Sequence, residues 1–202
     1  MKNLLFNQWR KLNLLLLAFG CTILQFGTYA QNVGKRVLVF SKTAAFRHGS
    51  IEVGKVAFQK MGKDKGFSVD LTEDANAFTN ENLRKYNAVV FLSTTGDVLS
   101  PTQQAEFERY IQAGGGYLGI HAATDTEYDW PWYGKLAGAY FLDHPMTPSN
   151  VQKGKFFVVD KNNWATKNMP SEFERSDEFY SFKNINPKIN VVVKIDEKSY
   201  IG

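Results

Sequence analysis

Gly114-Gly115-Gly116-Tyr117-Leu118-Gly119-Ile120-His121-Ala122-Ala123 is the stretch that decides the fold. Three consecutive glycines invite a phosphate-loop reading, but phosphate-cradling glycines follow a strand and open a helix. Here the order is reversed. Upstream, Ser100-Pro101 supplies a capping residue and then proline at the first helical position. Phe107, Tyr110 and Ile111 recur at helical spacing as an inner stripe. The glycines therefore close a helix, and Tyr117 to Ile120 follows as a strand. That strand runs into small residues around one reactive side chain, the shape of a nucleophile elbow. The elbow position holds His121. Histidine without an adjacent hydroxyl or thiol is a poor hydrolytic nucleophile, but it serves as a general base or a metal ligand.

Working outward, the same alternation repeats. Arg36 to Ser41 is a short apolar run of the kind found in strands buried on both faces. Ser50 is placed to cap a helix starting near Ile51, with Val53, Val56, Ala57 and Met61 as its apolar stripe and Gly66 as its stop. Phe67 to Thr72 is a second strand, Thr79 to Leu83 a capped helical turn, and Ala88 to Leu92 a third strand. The expected fold class is α/β: a doubly wound, mostly parallel sheet with helices on both faces. Beyond Val151 the pattern is less regular, with further strands expected at Lys155 to Val159 and Asn190 to Ile195.

The 202 residues, 44% hydrophobic and 14% aromatic, suit one globular domain with a real core. The formal charge of +4 belongs mostly to the leader. Residues 1–30 hold Lys2, Arg10 and Lys11 and no acid, and without them 21 basic residues face 20 acidic ones. No basic surface for nucleic acid is implied. Residues 1–30 read as an export signal: a charged start, an apolar run from Leu12 to Phe19, and Thr28-Tyr29-Ala30 as a cleavage site. The run is too short for a permanent span, so no integral membrane segment is expected after its removal. The protein is thus expected to be exported, periplasmic or extracellular. The alternative is a lipoprotein anchored through Cys21, the only cysteine. Cleavage after Ala30 leaves residues 31–202 with no thiol for catalysis, disulfide or metal.

Ligands of doubly wound sheets bind beyond the carboxyl ends of the strands. All three histidines fall in segments that can lie there: His48 after the first strand, His121 at the end of the fourth, and His144 beyond it. His121 and His48 are the candidate acid/base groups or metal ligands. Asp125, four residues past His121, is the carboxylate placed to partner them, and zinc suits such a set. No tight ligand spacing such as His-Glu-x-x-His accompanies it. For substrate binding, Arg47 offers a cation, Glu127 and His144 polar contacts, and Trp130, Trp132 and Tyr133 flat apolar faces on which a sugar ring stacks. The competing reading of that aromatic loop is a packed satellite of the core.

Together these segments resemble a known family. Val37 to Thr43 with Phe46-Arg47-His48 is similar to the opening strand and loop of ThuA-like (trehalose utilisation) domains. Gly115 to Ala123 with Asp125, then Tyr133-Gly134 and His144-Pro145, resembles their central signature. The resemblance covers the chain from about Arg36 onward. It implies a flavodoxin-like sheet of the class I glutamine amidotransferase-like superfamily and a link to disaccharide or glycoside utilisation. In amidotransferases the elbow carries cysteine; with His121 there, glutaminase activity is not expected. Such domains usually continue through a further strand and helix, so a domain truncated at its C-terminus is expected over residues 31–202. The expected ligand is a small saccharide, handled by a carbohydrate-active enzyme or, alternatively, by a non-catalytic sugar-binding or accessory module of the envelope.

Overall fold

The computed structural model describes residues 34–202; the leader reading of residues 1–30 lies outside them. The four expected strands form β1 (Arg36–Phe40), β2 (Ser68–Thr72), β3 (Ala88–Leu92) and β4 (Gly116–Ile120), all parallel in the order β2-β1-β3-β4. Val39 lies beside Leu71 and Val90, and Val90 beside Leu118. Helices α1 (Ser50–Lys65), α2 (Asn80–Leu83) and α3 (Pro101–Gln112) make the crossovers, and α4 (Pro131–Ala137) follows the sheet. Strand alternation sorts the core into two layers. Leu38, Phe40, Val89 and Phe91 meet Phe107 and Tyr110 of α3 on one face, and Val39, Val90 and Leu92 meet Phe58 of α1 on the other. The α/β class with helices on both faces is therefore what the chain adopts.

Local chemistry explains most helix ends. Ser100 and Gln103 form a reciprocal capping box before Pro101. The Thr79 hydroxyl accepts from the Asn82 amide at the start of α2. Gly66, at φ 74°, closes α1 in the left-handed region.

Two expectations for α1 need correction. Ser50 is not its cap: Gly49 takes that position, no side chain caps the helix, and the Ile51 amide bonds the His48 carbonyl at 3.2 Å. Gly49 already has helical φ and ψ, so Ser50 falls inside the first turn. Nor do Val53, Val56, Ala57 and Met61 face the sheet: Val53 and Val56 are 72% and 65% exposed. The inward positions are Ile51, Gly54, Phe58 and Gly62. A Cβ at Gly62 would lie 2.7 Å from the Phe67 carbonyl oxygen, and one at Gly54 2.9 Å from Leu92. Close approach of helix to sheet, which needs glycine, overrides the stripe of larger apolar side chains.

From Tyr140 onward the chain turns antiparallel. Strand β5 (Tyr140–Asp143) pairs with β8 (Ser181–Lys183), and β6 (Val151–Val158) is flanked by β7 (Glu172–Glu178) and β9 (Val193–Ile195). The expected strand at Lys155 is thus the second half of a longer one. Trp130 to Tyr133 is not an open loop but the first turn of α4, with Pro131 at its first position. Among the described residues no helix is long and apolar enough to cross a membrane.

Candidate functional site

Parallel strands deliver their following loops to one edge, so the β1 loop carrying His48 and the turn after β4 carrying His121 are brought together there. His121 has φ 52°, a left-handed conformation that costs a non-glycine residue about 1–3 kcal/mol. Its neighbours hold it in place. Ala122 and Ala123 are buried, and the wholly buried Tyr133 donates its hydroxyl to the Ala123 carbonyl at 2.7 Å. The Tyr133 and Tyr117 hydroxyls share a bond of 2.9 Å. The elbow geometry expected from the small residues is therefore present, followed by a 3₁₀ turn over His121–Thr124.

The antiparallel strands supply the rest. Glu178 ends β7, Tyr180 precedes β8, and His144 follows β5, the partner of β8. Glu178 Oε2 lies 3.5 Å from His48 Nε2 and 3.3 Å from His121 Nε2. Its other oxygen lies 3.4 Å from His144 Nε2 and accepts from the Asn150 amide at 3.0 Å. All three histidines thus surround one carboxylate. His144 Nδ1 lies 3.1 Å from the Pro145 carbonyl, which can only accept, so Nδ1 donates and Nε2 faces Glu178. The Tyr180 hydroxyl lies 3.2 Å from His48 Nε2 and 3.0 Å from His121 Nε2, and its ring stacks on His121 at 4.5 Å.

Electrostatics follow from this packing. Burial, and then the neighbouring His48, push the His121 imidazole below its ordinary value, favouring the neutral ring. Burial acts to raise Glu178, but the Asn150 amide, His144, the Tyr180 hydroxyl and His121 outweigh it and hold the carboxyl below the usual range. Burial and the Glu178 carboxylate drive the Tyr180 phenol upward. One ligand atom each from His48, His121 and Glu178 lies within 4.8 Å of the others, an arrangement that suits a metal ion. A cleft of about 420 Å³ opens onto the group, with Phe156, Phe182 and Tyr200 among its walls.

The other proposed site residues lie elsewhere in the network. The Asp125 carboxylate accepts from Tyr128 at 2.7 Å, and the third corner beside His48 and His121 is Glu178. Arg47 points away, paired with Glu52 at 2.7 Å and Glu73 at 2.8 Å. Glu127 is 1% exposed and accepts from the Val98 and Leu99 amides at 2.8 Å and from Gln104 at 2.6 Å. Trp130 and Trp132 stack on each other at 5.0 Å, and Trp132 meets Phe107 of the core. His144 does join the cluster. Sequence reasoning missed Glu178 and Tyr180. Glu172–Glu178 reads Glu-Phe-Glu-Arg-Ser-Asp-Glu, residues poor in strand preference. The one local signal was the acidic pair Asp177-Glu178 running into the aromatic pair Phe179-Tyr180.

A doubly wound sheet with histidine at its elbow and a histidine–glutamate cluster at its carboxyl edge defines the class. The family model described as ThuA, trehalose utilisation, matches residues 36–202, and the chain belongs to that family. Among solved structures, a ThuA-like protein from Bacteroides uniformis superposes with a TM-score of 0.70 at 25% identity, over 82% of this chain and 69% of that one. A ThuA-like protein from Parabacteroides merdae gives a TM-score of 0.66 at 17% identity, over 82% of this chain and 70% of that one. No protein among the curated sequences matches.

Proposed function

We propose that this is an exported carbohydrate-processing enzyme whose centre is a divalent cation held by His48, His121 and Glu178. The observation that carries the reading is the convergence of three ligand atoms from separate parts of the chain. Two imidazole nitrogens and a carboxylate oxygen aimed at one point repel unless a proton or cation lies between them. Two nitrogens and one oxygen suit zinc. Such a cation supplies Lewis-acid polarisation of a sugar oxygen. His144 and Asn150 orient Glu178 through its outer oxygen, as partners of metal ligands commonly do. The aromatic walls of the adjoining cleft offer stacking surfaces for a pyranose. Family membership supports a glycoside as the substrate class, and the leader-like composition of residues 1–30 supports export. With no cysteine in residues 31–202 and His121 at the elbow, glutaminase chemistry has no nucleophile.

The test is elemental analysis of the purified protein beside His121→Ala and Glu178→Gln, with turnover measured on a glycoside panel. Near-stoichiometric metal in the wild type is expected, with affinity reduced at least about a hundredfold in either variant and turnover lost alongside. Unchanged turnover in both variants would sink the reading.

A further inference from the structure

Resting on that metal-centre reading, we infer that Tyr180 is the fourth ligand, so that the site is a tetrahedron of two histidines, one glutamate and one tyrosine. The argument is geometric. Ligands about 2.0–2.1 Å from a zinc ion in a tetrahedron lie about 3.3–3.4 Å from one another. Four of the six edges are fixed at 3.5 Å from His48 to Glu178, 3.3 Å from His121 to Glu178, 3.2 Å from Tyr180 to His48 and 3.0 Å from Tyr180 to His121, and the His48–His121 edge is no more than 4.8 Å. Those four fall within a few tenths of an ångström of that spacing. Three ligand atoms alone define only a triangle. The phenol oxygen supplies the apex.

A hydroxyl has one proton to give, so beside two neutral imidazole nitrogens and a carboxylate it can donate to only one of them. This one meets both imidazole nitrogens and also lies against the Glu178 carboxylate. A ligand role would explain why a single oxygen faces all three of these ligand atoms. Once the imidazole lone pairs bind a cation they no longer accept from Tyr180, so the phenol must either leave or coordinate as phenolate, its proton released to solvent as the metal binds. Its ring is packed against leaving, with His121 at 4.5 Å, Phe141 at 4.4 Å and His144 at 5.9 Å. Tyr180 therefore stands where catalytic zinc sites with three protein ligands keep water or substrate. It also lines the 420 Å³ cleft, so the fourth position opens toward incoming substrate. A substrate oxygen would enter beside the phenol as a fifth ligand, as catalytic zinc sites allow.

The test uses zinc and copper(II) ions as probes on metal-stripped wild type, Tyr180→Phe and His121→Ala. The phenylalanine keeps the ring stack and removes only the oxygen; circular dichroism and metal-free thermal unfolding check the fold. Copper-loaded wild type is expected to show a phenolate-to-copper charge-transfer band in the visible. Tyr180→Phe should lack that band and bind zinc about tenfold more weakly or worse. Absence of the band in copper-loaded wild type overturns the inference without recourse to any variant. Equal zinc affinity and equal spectra for wild type and Tyr180→Phe, with both lost in His121→Ala, overturn it while leaving the three-ligand centre standing. Failure of the wild type to bind either ion overturns the centre itself and Tyr180's part in it.

Discussion

The parallel sheet and the antiparallel excursion each bury a glutamate, and the two are used in opposite ways. Glu127, just past β4, accepts three hydrogen bonds from Val98, Leu99 and Gln104, and burial raises its carboxyl above the ordinary range. It ties the loop after β3 to the start of α3. Glu178, at the end of β7, faces three histidines and a tyrosine and is held below that range. The first is bonded by neutral donors, and the charged neighbour that acts on it, Asp97, is another carboxylate. The second has partners that suit a cation. In the parallel-sheet region Glu127 holds loops in place; the antiparallel strands reach back over the sheet edge and complete the site that His48 and His121 begin.

The sharpest way to break this comparison is through the cores. Phe91 is fully buried between Phe40 and Phe107, with ring centroids at 5.3 Å to each. Phe91→Ala should cost about 3–5 kcal/mol. Phe173, stacked on Phe156 at 5.1 Å in a sheet with one open face, is only half-buried. Phe173→Ala should cost about 1–2 kcal/mol. Chemical denaturation of both variants measures the difference. Equal losses would mean that the antiparallel part is as firmly anchored as the parallel sheet.

The same division governs what could be read from sequence. The buried parallel strands are short apolar runs between turn residues, and their periodicity is a property of the chain alone. The capping box at Ser100 and the helix stop at Gly66 are likewise local chemistry. His48 and His121 were legible because parallel topology sends the ends of β1 and β4 to one edge. Glu178 and Tyr180 were not, because β7 is polar, half-exposed and recognisable as a strand only through its pairing with β6. Nearness in sequence to His121 points to Asp125, but nearness in sequence does not fix direction, and in the fold its carboxylate accepts from Tyr128. The Trp130 to Tyr133 cluster reads from sequence both as a sugar-stacking face and as a satellite of the core, because aromatic residues serve either; only the fold shows Tyr133 fully buried and Trp132 against Phe107.

Glu127 gives the next test. Glu127→Ala leaves two buried amides and the half-buried Gln104 side chain without their acceptor and should cost about 3 kcal/mol. Glu127→Gln keeps an oxygen for the Val98 and Leu99 amides, and Gln104 can flip to present its own oxygen, so the loss should stay near 1 kcal/mol. The pH dependence has a definite sign. Because the folded carboxyl is raised above its ordinary value of 4.5, its stabilising contribution is complete below that value and declines as pH rises through the folded pKa. Thermal unfolding across that window should show this slope in the wild type and lose it in Glu127→Gln. A slope of equal size in the glutamine variant would place its origin elsewhere.

The smallest expected effect separates two readings of α1. Helix propensity favours alanine over glycine by about 1 kcal/mol, so from sequence alone Gly62→Ala should stabilise. The structure requires the reverse, because the new Cβ would lie 2.7 Å from the Phe67 carbonyl and 2.8 Å from Val69. A backbone oxygen cannot swing aside as a side chain can, so the helix must lift from the sheet. The net result should be a loss of about 1–2 kcal/mol. Val56→Ser, on the stripe that the sequence pattern placed inward, should change stability by about 0.5 kcal/mol or less, since that side chain is 65% exposed. If the magnitudes were exchanged, with serine costly and alanine neutral, α1 would be turned about its axis. Phe58 would then leave the layer it shares with Val39, Val90 and Leu92, so the pair of measurements fixes the face by which this helix meets the sheet.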